Sequence, residues 1–432
     1  MEEVLARARN VAEEAEVYMV TSEETPIQFE ANRLKHAQRR QSTTVALRLI
    51  KQGRLGYATA TNLDDIAGLV DMAAETARFG MEAKFQFPSS AAYPAVDVFD
   101  PSAETVPVET MVKLGGEMIE RVRADTPELI CQSWVSRATA TLRLINSRGG
   151  QATYRQTQFS LGVYGTLVRG TDMLFVGDGD TSCHPLLEAD TVSKLVLEQL
   201  TRARELTSVS TGTLPVIFTP NGVAGALIAP FVSAFNGKTV LEGSSPLTKR
   251  LGETVFDPAF SLRDDPMVPF RPSSRPCDDE GVPSQVTPLV DLGTIRSFLY
   301  DLQTAALAGT RSTGNGSRGR GLPGPAPSAF VISPGKVTFD EMLADMRDGI
   351  VIDELMGAEQ GNVLGGDFSG NVLLGYRAEN GRIVGRVKNT MVSGNIYQLF
   401  KQIAAIGSDA RWVSGFVSTP SLYFPGIAVT SK

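Results

Sequence analysis

One pattern occurs twice in this chain, and that recurrence limits the folds open to it. The first copy reads AEVYMVTSEE, TPIQFEANRLKHAQRR and STTVALRLIKQGRLGYATAT, then NLDDIAGLVDMAAETARF. Apolar and polar residues alternate through the first three segments, as half-buried antiparallel strands require. KQGR at 51–54 reads as a hairpin turn. The fourth segment spaces its apolar residues by three and four, which predicts a helix with Asn62 as N-cap. The second copy reads LICQSWVSRATATLRLINSRGG and QATYRQTQFSLGVYGTLVRGTDMLFVGDGD, then a helical DTVSKLVLEQLTRAREL. Identity between the copies is weak, but strand lengths and element order agree. The pair reads as an internal duplication; the alternative is two units of the kind any antiparallel α+β domain produces.

Helices are also predicted over residues 2–15 and over VETMVKLGGEMIERVRA. Between the two copies, KFQFPSSAAYPAVDVFDPSAETVP (84–107) carries four prolines and no helical period. It predicts a connector lying over the surface. Beyond about residue 213 Gly and Pro rise and the predicted strands shorten. Asn380-Gly381 marks a hairpin turn between alternating runs, and a short helix is predicted after Ser393-Gly394-Asn395. The predicted class is α+β: an N-terminal unit over 1–90, a central unit over 91–213, and a β-rich C-terminal domain over 214–432.

Composition excludes several functions. The chain has 432 residues, 42% hydrophobic and 21% charged, as in ordinary soluble proteins. The net charge is −7, and HAQRR at 36–40 reads as a solvated strand face, so no nucleic-acid partner is expected. No apolar run approaches the roughly 18 residues a membrane helix needs, and the charged N-terminus lacks the apolar core of a signal peptide. Three cysteines far apart, Cys131, Cys183 and Cys277, suit a reducing cytoplasm. Two histidines, His36 and His184, must supply every imidazole. That scarcity weighs against a zinc site or a Ser-His or Cys-His nucleophile pair in this chain.

Three local strings could carry chemistry. STGNGSRGRG contains Gly314-x-Gly316-x-x-Gly319, but the prolines that follow forbid the helix a dinucleotide site needs. The loop reads as flexible; in a functional form its amides, with Arg318 and Arg320, would hold a peptide carboxylate. CDDEG at 277–281 clusters Asp278, Asp279 and Glu280. Neighbouring side chains on extended chain point to opposite faces, so a turn or an interface is the better reading than a cation site. Cys183 and His184 are adjacent, which is the wrong relation for a dyad. TPNGVAGALI at 219–228 follows the apolar LPVIF and opens a helix with no histidine, carboxylate, cysteine or lysine in it. Asn221 reads there as the helix cap.

The C-terminal half resembles the TldD/PmbA family, and within it the PmbA (TldE) branch. The resemblance rests on TPNGVAGALI, on DDEGVP at 278–283 and on IRSFLYDLQTAALAG followed by STGNGSRG. It rests also on the block from GGDFSGNVLLGYRAENGRIVG through IYQLFKQIAAIGSD (365–409) and on GFVSTPSLYFPGIAVTSK. The family comprises paired subunits implicated in peptide maturation and protein breakdown, and was once described as a modulator of DNA gyrase. Its TldD-type subunit looks like a zinc metalloprotease with H-E-x-x-x-H on a helix. Laid on this chain, those positions fall at Asn221, Gly222 and Ala226, and the TldD-type C-terminal cysteine has no counterpart.

The resemblance therefore implies a cytoplasmic, non-catalytic subunit that holds no zinc itself. It implies a homodimer, or a heterodimer with a TldD-like partner that supplies zinc, acting on peptide or unfolded polypeptide. Asn315, Arg318, Arg320 and Asn395 are the candidate peptide-binding residues, with the strand GNVLLGYRA beside them. The alternatives are an autonomous homodimeric metallopeptidase with an unrecognised site at the 277–280 acids, or a regulatory protein-binding module.

Overall fold

The computed structural model describes residues 1–319 and 321–431. The two copies fold as matching sets. The first runs α1 (Glu2–Ala8), β1 (Glu14–Glu30), β2 (Arg33–Ala37), β3 (Arg40–Lys51), β4 (Arg54–Ala60) and α2 (Ile66–Thr76). A short α3 (Pro101–Thr105) precedes the second. That copy runs α4 (Val108–Asp125), β5 (Ile130–Asn146), β6 (Gln151–Arg169), β7 (Asp172–Ser182) and α5 (Ala189–Arg202). Apart from the small β2, each copy is helix, three strands, helix.

The two copies share one antiparallel sheet, in the order β4-β3-β1-β5-β6-β7, with β2 alongside β1. The long β1–β5 pair, running from Glu16↔Asn146 to Phe29↔Ser133, is the seam between them. The boundary near residue 90 is thus a connector between two halves of one sheet. Alternation explains the layering. Val17, Leu47 and Leu49 pack on α1 and α2, while Val135, Phe159, Leu161 and Val163 pack with α4 and α5. Tyr18, Ala46, Leu142 and Leu144 face the other way, toward Cys277 of the C-terminal half.

Two local expectations are corrected. Asp65, not Asn62, caps α2: its Oδ1 accepts from Gly68 N at 2.8 Å, while Asn62 accepts from Asp64 N at 3.2 Å. Asp65 immediately precedes the first helical residue, where a cap must sit. The connector contains α3, which begins where Asp100 accepts from Ser102 N. In IRSFLYDLQTAALAG only Leu302–Leu307 is helical, started by an Asp301–Thr304 capping box. The turns behave as predicted: Gln52-Gly53 and Asn380-Gly381 both take positive φ at both positions, the geometry that matches strand twist.

The C-terminal half begins with β8 (Leu206–Thr207), β9 (Gly212–Phe218), α6 (Pro220–Ala226) and α7 (Ile228–Ala234). β9 joins Asp348–Met356, Asp367–Glu379, Thr390–Asn395 and Leu422–Ser431 in a ring, closed by the parallel pairing of β9 with Asp348–Met356. Phe218, Phe368 and Phe424 meet edge to face within it. A six-stranded sheet, from Thr294–Ile295 to Arg411–Val413, packs into the same core. No helix among the described residues is long and apolar enough to cross a membrane.

Candidate functional site

The turn from β9 into α6 is built by Thr219, whose hydroxyl accepts from Gly222 N at 3.3 Å, and by Pro220 at the first helical position. Asn221 is therefore not the cap. Its side chain reaches outward, where Nδ2 donates to Asp178 Oδ2 of β7 at 3.1 Å. Arg411 completes a bridge. It donates to Asp178 Oδ1 at 3.1 Å and Oδ2 at 2.7 Å, and to Asn221 Oδ1 at 2.7 Å. Val223, Leu227 and Ile228 are buried in the core, and Ala226 is buried with them.

These residues do not fit a zinc ion. Asn221's oxygen is occupied by a guanidinium, whose charge opposes a cation. A Cβ on Gly222 would stand 2.4 Å from the backbone oxygen of Ile352, so a glutamate cannot enter without moving that strand. Ala226 offers no donor atom. Among the described residues no group of three or more His, Cys, Asp or Glu side chains has the arrangement of a metal site.

Asn221 lies on a cleft of about 490 Å³ between the β7 edge of the N-terminal sheet and the C-terminal half. Trp134 and Tyr164 stack along it, centroids 5.4 Å apart and 22° from parallel. Three glycines make room for this platform. A Cβ on Gly162 or Gly179 would run into the Trp134 ring, and one on Gly177 into the Tyr164 ring. Asp178, Asp180, Asp353 and Glu354 give the cleft an acidic side. Burial raises the pKa of Asp353 despite the Thr219 hydroxyl that donates to it, and burial also raises that of Glu354.

β7 ends the sheet, and its outer edge is held by side chains. The Gln199 amide accepts from Gly177 N at 2.8 Å and donates to Gly177 O at 3.1 Å, as a neighbouring strand would. Asp178 and Asp180 accept from Gly179 N and Thr181 N, the amides next to them in sequence. This edge, the Trp134–Tyr164 platform and Arg411 were not found from the sequence. The one visible signal was GDGD at 177–180, where bare and acidic residues alternate on a strand.

The Gly-rich loop sits elsewhere. Arg318 is almost fully buried and pairs with Glu16 of β1, and its backbone N donates to Asp279 Oδ2 at 2.7 Å. Arg48 of β3 pairs with Glu16 at 3.1 Å and with Glu280 at 2.5 Å, under the rings of Phe85 and Phe87 from the connector. Asp278 accepts from the backbone N of Glu280, Val282 and Gly316. Asn315, 1% exposed, donates to Asp264 Oδ2 at 2.6 Å and to Ala326 O at 3.1 Å. CDDEG thus takes the interface reading, a buried ion cluster binding the two halves, while the loop, expected to be flexible, is tied into that cluster through Gly316 N and Arg318. Burial pushes Asp264 up to about 6 and, with the nearby Glu280 charge, Asp278 up to about 8.

For Asn315 and Arg318 the expectation of a peptide contact is corrected, because their side chains are enclosed and turned to internal partners, Asp264 and Ala326 for Asn315 and Glu16 and the Asp279 carbonyl for Arg318. Asn395 also serves its own fold. It donates to Gly365 O and Asp367 Oδ1 and caps Ile396–Leu399 through Tyr397 N. Arg320 lies outside the described residues.

A helix opened by a strand end thus faces the outer edge of a sheet across a cleft. The family model for the PmbA/TldA metallopeptidase C-terminal domain matches residues 211–431, and that for domain 1 matches 15–77. The chain belongs to the PmbA/TldD metallopeptidase family. It is 26% identical over 424 residues to an uncharacterized protein of Methanocaldococcus jannaschii, covering 96% of this chain and 95% of that one. A metalloprotease of Methanothermobacter thermautotrophicus is 23% identical over 424 residues, with 96% and 92% covered. Two solved structures share the fold, each with a TM-score of 0.90. One is TldE from Thermococcus kodakarensis, 21% identical with all of both chains covered. The other is a Thermotoga maritima protein described as a modulator of a DNA gyrase, 24% identical, with 99% of this chain and 100% of that one covered.

Proposed function

We propose that this chain is the PmbA/TldE-type, non-catalytic subunit of a metalloprotease system for peptides or unfolded polypeptide. It holds substrate and completes an assembly in which a TldD-like partner carries the zinc. The observation that supports this reading is the α6 frame, where packing residues remain and each chemical position is replaced or blocked. Asn221 is held by Arg411 and Asp178. Substrate lies extended along β7, its carbonyls taking the amides of Gly179 and Thr181 from the adjacent carboxylates. Its apolar side chains rest on Trp134 and Tyr164. The 277–280 acids do not offer an independent catalytic site, since Asp278 and Glu280 are fully buried between the two halves.

The test has two measurements. The purified chain is expected to carry no stoichiometric zinc by elemental analysis, and to cleave unfolded casein only when mixed with a TldD-type subunit. Tightly bound zinc, or cleavage by this chain alone, would sink the proposal.

A further inference from the structure

A second cavity, of about 290 Å³, lies on the same face of the N-terminal sheet. Gln156 of β6 lines it, while Gln158, two residues on, lines the cleft. The segment 272–275 walls the cavity, and Gln156 fixes it by donating to Pro272 O at 2.7 Å and Ser274 O at 3.3 Å. The floor is apolar, made by Val20, Ala140 and Leu142.

The polar lining is unbalanced. The hydroxyls of Ser273, Ser274 and Ser328 and the Nε of Arg275 have no hydrogen-bond partner among the described residues. Ser274 is 1% and Ser328 7% exposed. Native proteins seldom leave several such groups together unless something else satisfies them. The acceptor in the cavity is already in use. Asp279 accepts from Tyr18 Oη at 3.1 Å, from Arg275 Nη1 at 3.4 Å and from Arg318 N at 2.7 Å. What remains is a set of donors above an apolar floor.

We propose that this cavity binds a small organic carboxylate. Its oxyanion is held by the Arg275 guanidinium and the Ser274 and Ser328 hydroxyls, which turn toward it by rotation about χ1. Its carbon chain lies on Val20, Ala140 and Leu142. The volume holds on the order of ten non-hydrogen atoms, at roughly 30 Å³ for each water displaced. The neighbouring charges permit an anion. Arg275 pairs with Asp279 at 3.4 Å, Arg48 and Arg318 stand in the adjoining cluster paired with Glu16 and Glu280, and burial with the Glu280 charge raises the pKa of Asp278, which favours its neutral form.

Calorimetric titration with hexanoate tests this, with hexanamide and inorganic phosphate as comparisons at equal ionic strength. Hexanoate is expected to bind one to one, with hexanamide and phosphate each at least tenfold weaker. The double variant Ser274→Ala/Ser328→Ala removes only hydroxyls that lack a partner. It should keep the unligated melting temperature and weaken hexanoate at least tenfold. Ala140→Phe, which fills the cavity, should abolish binding. No saturable hexanoate binding, equal binding of hexanamide or phosphate, or unchanged affinity in the double serine variant each overturns the assignment.

Discussion

The cleft at α6 and the ion cluster at the loops hold most of the chain's unusual charges, and they use them in opposite ways. In the cluster, Arg48 and Glu280 are at most 2% exposed and each is tied to several partners across the two halves. At the cleft, Arg411 is 29% exposed and rests on one carboxylate and one amide. The residues richest in charge are structural, and the sparse bridge stands where the family's chemistry would be.

The sharpest way to break that contrast is to remove one guanidinium from each. Arg48→Ala leaves Glu280 without a cationic partner in the interior and Glu16 with Arg318 alone, and should cost about 3–5 kcal/mol of unfolding free energy. Arg411→Ala leaves the buried Asp178 with only the Gly179 N–H and the Asn221 amide, and should cost about 1–3 kcal/mol. Urea denaturation of the two variants compares them directly. Equal losses would mean that the bridge is as much a part of the fold as the cluster.

The next effect is on pH. Asp264 is enclosed and its pKa rises to about 6, against roughly 3.9 in unfolded chain. The folded state then holds a proton that the unfolded state releases between pH 4 and 6. The group's contribution is fully present below pH 4 and is lost as pH rises through 6. Its size is about 3 kcal/mol, at 1.4 kcal/mol per unit. Asp264→Asn should remove that part of the slope between pH 4 and 6, read from denaturation midpoints across the range. An unchanged slope would place the titration elsewhere in the cluster.

Gly222 sharpens the comparison further. Its missing Cβ leaves room for the Ile352 carbonyl at 2.4 Å, so Gly222→Ala should cost about 1–3 kcal/mol by overpacking. Gly225, on the same helix with no atom within 4 Å of its ideal Cβ, is the control. Gly225→Ala should be neutral or slightly stabilising, since alanine is the better helix former. If Gly222→Ala were equally harmless, position 222 could accept a larger residue and the closed-frame argument would fail.

Much of the fold was legible because it depends on local periodicity. Alternation gave the long strands, and two positive-φ turns gave the hairpins at Gln52-Gly53 and Asn380-Gly381. The recurrence of the two copies was visible as order, but their joining in one sheet through β1 and β5 was not, since pairing across more than a hundred residues leaves no local mark. The site was less legible for the same reason. Arg411 lies 190 residues from Asn221 and 233 from Asp178. Arg318 lies 302 residues from Glu16. An arginine in a glycine loop looks exposed until the partner that buries it is known. Spacing along the chain can show that α6 lacks chemical residues, but not what replaced them.

The smallest expected effect separates the cap of α6 from its bridge. Thr219 does two things: its hydroxyl accepts from Gly222 N and donates to Asp353. Thr219→Ala frees an N-terminal amide and takes a donor from a buried carboxylate, and should cost about 1–2 kcal/mol. Asn221→Ala removes an amide from the half-exposed side of the helix and leaves Arg411 still paired with Asp178. It should cost about 0.5–1 kcal/mol. Thermal melts of the two variants under one buffer resolve the order. A larger loss for Asn221→Ala would return the capping role to Asn221. The expected order would leave Asn221 with its contacts to Arg411 and Asp178 rather than with the cap.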